Sequence, residues 1–554
     1  MTEKRKLVVV GNGMVGHRFL EKMRDAGGAD RWDITVFCEE PRLAYDRVNL
    51  SKLFDDAGQN GLSLVAPGEY ERAGFQVLVG DRATTIDRTT RTVQSAQGRQ
   101  VPYDLLVLAT GSVPFVPTVE GAHLKGCFVY RTIEDLEAIR TWAATTSTGV
   151  VVGGGLLGLE AANALRNLGL ETHVVEMAPR LMPLQVDEMG GAILRRRIES
   201  LGVGVHTGVS TKRIFAEPTE NQGEEKVGGL LFADGGELPA GMVVFSAGIR
   251  PRDELARACG LEIGSRGGIV VDEHGRTSDP DILAIGECAS WSGRTYGLVA
   301  PGYRMAEIAA QQVLGAGEDR LGHFDMSSKL KLLGVDVASF GDAFGLEPGA
   351  HTLSLVDSVS GVYKKLVVSS DKERLLGGIL VGDASAYTQL LAMVQSRTRL
   401  PPDPDEMILP PRAGKPRGGM SPDALPADAM ICSCHNVSKG TICEAIAAEG
   451  LVAVAGIKAC TKAGTGCGSC VMLMGEILKS ELKRSGVAIT NHLCEHFPHS
   501  RQELFHLVRV KEVHTFDEAL GAFGRGRGCE ICKPAMASIL ASIWNEHVLR
   551  RTHV

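Results

Sequence analysis

Short apolar runs rich in β-branched residues, each followed by spaced glycines, mark the first half of the 554-residue chain. Lys6–Val10 and Thr148–Val152 each predict a buried parallel strand that leads through a glycine turn into a helical stretch. Second strands are predicted at Ile34–Cys38 and His173–Val175. The same strand, turn, helix and strand are therefore predicted twice, which indicates an α/β fold with two Rossmann-like domains.

Both glycine turns have the spacing G-x-G-x-x-G, which permits a tight turn, a close approach of backbone amides to a pyrophosphate, and packing of helix against strand. The glycines are Gly11, Gly13 and Gly16 in the first turn and Gly153, Gly155 and Gly158 in the second. An acid that can hold a ribose hydroxyl, Glu39 or Glu176, follows each second strand. The sequence therefore predicts two dinucleotide sites, one for a tightly held molecule and one for an exchanging molecule.

The pattern changes after about residue 320. Strand-like runs at Leu353–Val356, Lys364–Val368 and Leu375–Val381 predict a third, smaller domain of mixed α and β structure over residues 321–396. Eight prolines then lie between Pro401 and Pro426. Such a composition predicts a semi-extended linker over residues 397–429 rather than a core element.

Charge and hydropathy exclude two classes of partner. The net charge is −7 and no block of Lys and Arg is present, which argues against nucleic acid. No stretch reaches the ~18 uninterrupted apolar residues of a membrane span. We therefore expect a cytoplasmic protein with neither a nucleic-acid nor a membrane partner.

The cysteines are unevenly distributed, since nine of the thirteen fall in the last 123 residues. Cys432 and Cys434 form a CxC pair, and Cys467 and Cys470 form a CxxC pair further along the chain. Four thiolates in this arrangement can bind tetrahedral zinc or an iron-sulfur cluster. Helical periodicity over 438–449 and 452–458 places these ligands on loops, and Cys443 and Cys460, outside the pattern, are expected as buried thiols.

The end of the chain repeats part of this module. Cys434 precedes its CxxC pair by 33 positions, and Cys494 precedes the pair Cys529 and Cys532 by 35. In this alignment His492 stands where the first copy has Cys432. Two interpretations stay open: His492 and three thiolates bind a second cluster, since imidazole can ligate iron, or the copy has no metal and serves packing or docking.

Residues 5–320 resemble the flavoprotein reductases that have two dinucleotide-binding domains. The resemblance lies in the glycine motifs and in LLVLATG (105–111), VVFSAG (243–248) and DILAIGE (281–287). It implies an FAD-binding domain over 1–115 and 247–320 and an NAD(P)H-binding domain over 116–246. It also implies FAD contacts from Ala109, Thr110, Gly111, Gly286 and Glu287, the last standing where most relatives have Asp.

The nicotinamide cofactor is predicted from charge. Glu176 at the ribose position would repel a 2′-phosphate, which favours NADH. Arg180 lies four residues further on and could offset this repulsion, so that NADPH stays open as the second cofactor.

No cysteine lies between Glu39 and Gly126, which argues against a redox-active disulfide next to the flavin. Instead, Tyr45–Lys52 resembles the segment of ferredoxin reductases that places a lysine beside the flavin ring. That resemblance implies a pair between Lys52 and Glu160, which would orient the ring and stabilise negative charge on its reduced form. The alternative is that Lys52 is a solvated surface residue.

The first cysteine module, with the pattern CxCxxVxxxxI, resembles the [2Fe-2S] domain of bacterioferritin-associated ferredoxins. This implies a [2Fe-2S] domain over 430–485, with Cys432, Cys434, Cys467 and Cys470 as its ligands, and a second, three-cysteine repeat over 486–554. The whole order, with the block from Cys494 to His547, resembles the N-terminal part of the large subunit of assimilatory NAD(P)H nitrite reductases.

The resemblance to assimilatory nitrite reductases implies electron transfer from NAD(P)H through FAD and iron-sulfur centres to a sirohaem that reduces nitrite to ammonium. Its partners would be a sirohaem-containing domain or subunit and, through residues 321–396, a second copy of the chain. The family's sirohaem domain uses four cysteines of its own, and none follows Cys532 here. We therefore expect either a truncated or split large subunit or a standalone electron-transfer component.

Three further hypotheses remain at this stage. The chain could be a ferredoxin- or rubredoxin-type reductase, or the electron-transfer subunit of a nitrate reductase. In a different class, it could be a redox-sensing or iron-handling protein in which bound nucleotide changes docking without turnover. Oxidation of NADH by ferricyanide or cytochrome c separates an enzyme from a sensor.

The proposed lysine beside the flavin gives a kinetic prediction. We expect Lys52→Met to slow flavin reduction by NADH in stopped-flow measurements, because the variant removes the positive charge that stabilises the reduced ring. An unchanged rate would assign Lys52 to the solvated surface.

Overall fold

The computed structural model describes residues 4–54, 61–218, 225–315, 317, 319–401, 403–409, 422–432, 435–465, 468, 470–486, 493–494, 496–529 and 532–544. Contacts divide the chain into two compact units. The first unit consists of residues 1–442 and 461–473, and the second of residues 443–460 and 474–554.

Five parallel strands form the first sheet of the first unit. Their spatial order is Ile282–Ala284, Leu105–Leu108, Arg5–Val10, Trp32–Cys38 and Gln76–Val79. Helices Met14–Asp25 and Val299–Leu314 supply buried apolar residues to the same core. The strands predicted at 6–10 and 34–38 are present, because runs of Val, Ile and Leu are buried on both faces of a parallel sheet.

The second sheet repeats this plan. Its parallel strands, in spatial order, are Val203–Thr207, Glu171–Glu176, Thr148–Val152, Met242–Phe245 and Cys127–Val129. The flanking helices are Ile133–Ala143, Leu156–Asn167 and Glu188–Glu199. An antiparallel sheet of Thr211–Pro218, Glu225–Phe232 and Glu237–Pro239 covers one side. Ser112–Pro114 pairs with Ile249–Pro251 where the chain crosses between the first two sheets.

The third sheet is antiparallel and lies in the predicted smaller domain. Its order is Ser328–Leu332, Val335–Gly341, Leu375–Val381, Val362–Val368 and His351–Asp357, with helix Tyr387–Gln395 beside it. The remaining short elements are strands Ala83–Asp87, Thr92–Ser95, Gln100–Pro102, Ile269–Val271 and Ala289–Trp291 and helices Glu69–Arg72 and Glu254–Ala258.

The C-terminal region is helical. A short pairing of Met430–Cys432 with Val437–Ser438 precedes the helices. They span Lys439–Glu449, Val454–Thr461, Val471–Arg484, Arg501–Val510, Phe516–Phe523 and Cys532–Ile543. Ser500 and Thr515 begin two of them with reciprocal capping boxes, each closed by a glutamate three residues later. The α/β fold followed by small helical domains is therefore confirmed.

The proline-rich segment differs from the prediction at its described ends. Met407, Ile408 and Leu425 are each less than 5% exposed, so the residues on both sides of 410–421 pack into the first unit. Proline does not prevent this, because Pro404 starts the 3₁₀ turn Pro404–Met407, where its missing N–H costs nothing. Residues 410–421 lie outside the described residues.

No single helix in the described ranges is long and apolar enough to cross a membrane. The helices Lys439–Glu449 and Val454–Thr461 reach that length only together, across a bend of 109°.

Candidate functional site

A cavity of about 1680 Å³ lies at the carboxyl ends of the first two sheets. Val10 and Cys38 line it from the first sheet, and Val152 and Val175 line it from the second. In parallel α/β sheets the carboxyl ends of the strands are where ligands bind, because the turns there leave a crevice above the sheet. Both predicted dinucleotide sites therefore open into one cavity.

The first glycine turn is held by backbone contacts that leave no room for a side chain. Gly11 has a φ of +114°, and a Cβ there would lie 2.2 Å from the carbonyl oxygen of Ala109. A Cβ on Gly16 would lie 2.2 Å from the carbonyl oxygen of Gly11. Gly13 is the N-cap of helix Met14–Asp25, and with no side chain it leaves the first turn of that helix lining the cavity.

The second glycine turn has the same geometry. Gly153 has a φ of +119°, and a Cβ there would lie 2.3 Å from the carbonyl oxygen of Ser246. A Cβ on Gly158 would lie 1.9 Å from the carbonyl oxygen of Gly153, and Gly155 is the N-cap of helix Leu156–Asn167. Two helix N-termini of this kind offer backbone amides and a positive dipole end to two pyrophosphates.

Glu39 lies at the end of strand Trp32–Cys38 and lines the cavity. Its Oε2 is 2.7 Å from Nη2 of Arg252, and its Oε1 is 3.8 Å from Nε of Arg82. The carboxylate is 41% exposed and is thus accessible to a ribose hydroxyl. Arg252 is a site residue that sequence reasoning missed, because it follows the crossing strand far from both glycine motifs.

Glu176 is held by backbone amides. The amide of Gly154 donates to its Oε2 and the amide of Ala178 donates to its Oε1, each at 2.7 Å. Arg180 does not neutralise it, because its guanidinium donates to the carbonyl oxygens of Val186 at 2.9 Å and Pro183 at 3.3 Å. The negative charge at this ribose position is therefore retained, which supports NADH over NADPH.

The flavin-side motifs meet around Glu287. Arg131 donates to Glu287 Oε2 at 2.6 Å, and Ser112 donates to the same oxygen at 2.7 Å. Ala109, Thr110, Gly111 and Gly286 line the cavity beside them, and Thr110 donates to the carbonyl oxygen of Arg252 at 2.7 Å. Arg131 was also missed by sequence reasoning, since a lone arginine before a helix has no distinguishing pattern.

Glu160 lies in helix Leu156–Asn167 and lines the cavity. Burial, with a further contribution from the negative charge of Asp46, raises the pKa of its carboxyl to about 7. Asp46 itself is held by the segment that follows it, because the amides of Val48 and Asn49 donate to its carboxylate at 2.9 and 3.2 Å.

Lys52 falls within the 3₁₀ helix Leu50–Phe54. Leu50 and Leu53 share a buried apolar cluster with Leu159 and Ala162, the neighbours of Glu160 on its helix. The backbone of Lys52 therefore lies beside the element that holds Glu160. The Lys52 side chain lies outside what the structure describes, and the pair with Glu160 stays a prediction.

Two of the four predicted cluster ligands line the same cavity. Cys432 and Cys470 are both buried, each 3% exposed, and both belong to the lining. Lys462 lies on the loop before Cys470. Its Nζ is 3.6 Å from Oε1 of Glu21, in helix Met14–Asp25. Cys434 and Cys467 lie outside the described residues. Of the two cysteines expected as buried thiols, Cys443 is partly buried and Cys460 is exposed, so that the second expectation is wrong.

In the part of the chain that the structure describes, a histidine that the sequence alignment did not select, His496, lies beside the three cysteines of the repeat. His496 lies with Cys494, Cys529 and Cys532, and the ligand atoms of these four residues are all within 4.8 Å of one another. His492 lies outside the described residues. The sequence alignment set Cys494 opposite Cys434; with His496 included, Cys494 instead corresponds in position to Cys432 of the first module.

Three protein families match successive parts of the chain. Residues 5–312 match the family described as pyridine nucleotide-disulphide oxidoreductase. Residues 327–398 match the rubredoxin NAD⁺ reductase C-terminal domain, and residues 430–480 match the BFD-like [2Fe-2S] binding domain.

Two curated relatives match nearly the whole chain. The nitrite reductase (NADH) large subunit of Escherichia coli is 53% identical over 99% of this chain, and the chain spans 64% of that relative's length. The assimilatory nitrate reductase electron transfer subunit of Bacillus subtilis is 30% identical over 98% of this chain and 69% of the relative. Among solved structures, a ferredoxin reductase from Rhodopseudomonas palustris is 27% identical, with a TM-score of 0.62 over 69% of this chain and 93% of that one.

The raised pKa of Glu160 gives a prediction on stability. Between the ordinary glutamate value of about 4.5 and about 7, the folded chain keeps a proton that the unfolded chain has lost. Folded-state stability is therefore lost as pH rises through this window, by up to about 1.4 kcal/mol per pH unit, and Glu160→Gln removes that loss. We expect the Tm of Glu160→Gln, relative to wild type, to increase from about pH 5 to 7.

Thermal unfolding across this range checks the prediction, with Glu237→Gln, on an exposed strand, as the matched removal of one acidic charge. A Tm difference between Glu160→Gln and wild type that stays constant with pH would contradict it.

The geometry of Glu176 gives a prediction on cofactor choice. We expect kcat/KM for NADH to exceed that for NADPH, and Glu176→Gln to raise the NADPH-to-NADH ratio by about tenfold, because the amide oxygen still accepts one of the two backbone hydrogen bonds and the side chain no longer repels a 2′-phosphate. Glu171→Gln, on the same strand but 71% exposed, should leave the ratio unchanged. Steady-state kinetics of wild type and both variants with NADH and NADPH measures these ratios. A wild-type preference for NADPH would refute the assignment of NADH as the cofactor.

Proposed function

Because the chain belongs to the pyridine nucleotide-disulphide oxidoreductase family, we propose that it passes electrons from NADH through FAD and a [2Fe-2S] centre to a sirohaem nitrite reductase. One observation carries the proposal: a single cavity is lined by both glycine turns and by Cys432 and Cys470. The family's redox disulfide has no counterpart between Glu39 and Gly126, where the sequence has no cysteine. An acceptor other than a disulfide is therefore required next to the flavin.

The residues have distinct roles in this proposal. The two glycine turns bind the pyrophosphates of FAD and NADH through backbone amides, and Glu39 and Glu176 hold the adenosine riboses. Arg131 and Ser112 position Glu287. Glu287 contacts FAD at the flavin side of the cavity, together with Ala109, Thr110, Gly111 and Gly286. Lys52 and Glu160 orient the flavin ring. FAD, when bound, converts the hydride of NADH into the single electrons that an iron-sulfur centre accepts.

The cluster ligands are Cys432, Cys434, Cys467 and Cys470. Two of them are buried at the cavity wall, where a centre is shielded from water. Because Cys432 and Cys470 belong to the lining that the two dinucleotide turns share, a cluster held there would be close to bound flavin. Transfer inside one cavity would need no exchange of a diffusible intermediate.

The domain division of the sequence analysis is retained in this proposal. The FAD-binding domain comprises 1–115 and 247–320, the NAD(P)H-binding domain 116–246 and the small domain 321–396. The proline-rich segment spans 397–429, and its described ends pack into the first unit. The [2Fe-2S] domain and the three-cysteine repeat occupy 430–485 and 486–554. We place the protein in the cytoplasm, with a homodimer contact through 321–396 and with a sirohaem-containing domain or subunit as electron acceptor.

A second terminal acceptor has support from one relative. The Bacillus subtilis protein that matches 98% of this chain is named an assimilatory nitrate reductase electron transfer subunit. The same residues could therefore deliver electrons to a separate nitrate reductase. The two acceptors require the same path from NADH to the cluster and differ only in the last step.

Both proposals are tested with the full chain loaded with FAD and its cluster. We expect NADH oxidation with ferricyanide, and ammonium from nitrite once a sirohaem nitrite reductase is added. Cys470→Ser should lower ammonium formation at least about tenfold while NADH-to-ferricyanide activity persists, because the flavin still accepts hydride. Cys460→Ser changes an exposed cysteine outside the cavity and should retain both activities.

The outcomes separate the hypotheses. Reduction of nitrate reductase in place of the sirohaem enzyme would select the second acceptor. Ferricyanide reduction with neither partner reduced would favour a ferredoxin- or rubredoxin-type reductase, and no NADH oxidation with any acceptor would favour a redox-sensing protein. Full ammonium formation by Cys470→Ser would refute the electron path through the cluster.

A further inference from the structure

Four side chains with metal-ligating atoms converge in the second unit, and none of them lines the cavity described above. Cys494 Sγ lies 3.8 Å from His496 Nδ1, and Cys529 Sγ lies 3.7 Å from Cys532 Sγ. All four ligand atoms lie within 4.8 Å of one another. Cys532 is fully buried and the other three residues are partly buried, so that the group is enclosed mainly by protein.

Local backbone structure holds the first pair of ligands. Cys494 and Phe497 form a β-bridge, and the amide of Phe497 donates to the carbonyl oxygen of Cys494 at 3.2 Å. The Phe497 ring is fully buried and meets Phe516 edge-on, with ring centroids 6.2 Å apart. The packing of Phe497 holds Cys494 Sγ and His496 Nδ1 close to each other.

The second pair is fixed by the start of helix Cys532–Ile543. The amide of Cys529 donates to Cys532 Sγ at 3.1 Å, which holds the two cysteines close together. Gly528 before it has a φ of +76°, and a Cβ there would lie 2.5 Å from the Phe516 ring. The amide of Arg525 donates to the carbonyl oxygen of His496 at 2.9 Å, which ties the two ligand segments together.

The spacing in the sequence agrees with this set once the alignment is shifted by two positions. His496 precedes Cys529 by the same interval by which Cys434 precedes Cys467. The repeat is then C-x-H followed by C-x-x-C, against C-x-C followed by C-x-x-C in the first module, with equal separation between the two pairs. His496 therefore replaces Cys434, and no position of the ligand pattern is vacant.

The distances decide which metal centre the site can hold. A tetrahedral zinc ion with Zn–S bonds of about 2.3 Å and a Zn–N bond of about 2.0 Å places its ligand atoms about 3.5–3.8 Å apart. A [2Fe-2S] cluster has two irons, and ligands on different irons are separated by on the order of 6 Å. A set within 4.8 Å is too compact for two irons and suits one ion.

We propose that Cys494, His496, Cys529 and Cys532 bind one Zn²⁺ ion as a structural site. Four protein ligands close the coordination sphere, so that the ion binds no substrate, and Zn²⁺ transfers no electrons because it has no redox chemistry. It joins the turn before helix Arg501–Val510 to the start of helix Cys532–Ile543, and its binding energy stabilises this small helical core. This site is independent of the proposed function.

The test is metal analysis of the full chain, with zinc, iron and acid-labile sulfide measured on the same samples. We expect one zinc per chain, and loss of that zinc in Cys529→Ser with iron and sulfide unchanged. His496→Ala should lose most of the zinc and His496→Cys should keep it, because Cys₃His and Cys₄ sets both bind zinc. His492→Ala is the matched control and should retain full zinc.

X-ray absorption at the zinc edge tests the same site in wild-type protein, so that a variant which fails to fold does not decide the result. The expected first shell is three sulfurs and one nitrogen. Zinc content unchanged in Cys529→Ser, zinc lost in His492→Ala but not in His496→Ala, or additional iron and sulfide lost in Cys529→Ser would each overturn the proposal.

Discussion

A close contact between backbone segments, possible only with glycine, fixes the geometry on which both dinucleotide sites depend. At Gly11 and Gly153 the turn lies so near the end of the neighbouring strand that a Cβ would be 2.2–2.3 Å from a carbonyl oxygen. Gly16 and Gly158 then let each helix begin against the turn itself. The same contact, made twice, directs two helix N-termini into one cavity, which Glu39, Glu176 and Glu287 also line.

The acids around this cavity are compensated in different ways, and the differences follow from their surroundings. Glu39 and Glu287 are paired with Arg252 and Arg131, while Glu176 accepts two backbone amides. Burial and the negative charge of Asp46 instead raise the pKa of Glu160 to about 7. A carboxyl whose pKa lies near neutrality responds to any charge brought beside it, such as the lysine and the flavin ring that are proposed as its neighbours.

The two cysteine modules show how one ligand pattern can serve two purposes. In the first unit, Cys432 and Cys470 are part of the wall of the dinucleotide cavity. In the second unit, the corresponding residues Cys494 and Cys532 lie in a small helical core with Phe497 and Met536. An electron-transfer centre is useful only where a donor can approach it, whereas a structural ion needs only to join two segments. The ligand spacing along the sequence is the same in the two modules, which differ in their surroundings and in one ligand, His496 in place of Cys434.

The sequence by itself determined the two dinucleotide units, the third sheet and the four-cysteine module. Strands, glycine turns and helix starts are local features, and residues a few positions apart suffice to specify them. The tertiary structure decided which distant side chains meet: Arg131 with Glu287, Arg252 with Glu39, and His496 with three thiols. It also showed that Met407 and Leu425 are buried beside a segment whose composition predicted a semi-extended linker. Such pairings depend on how separate elements pack. No local pattern in the chain specifies the distance between side chains on different elements.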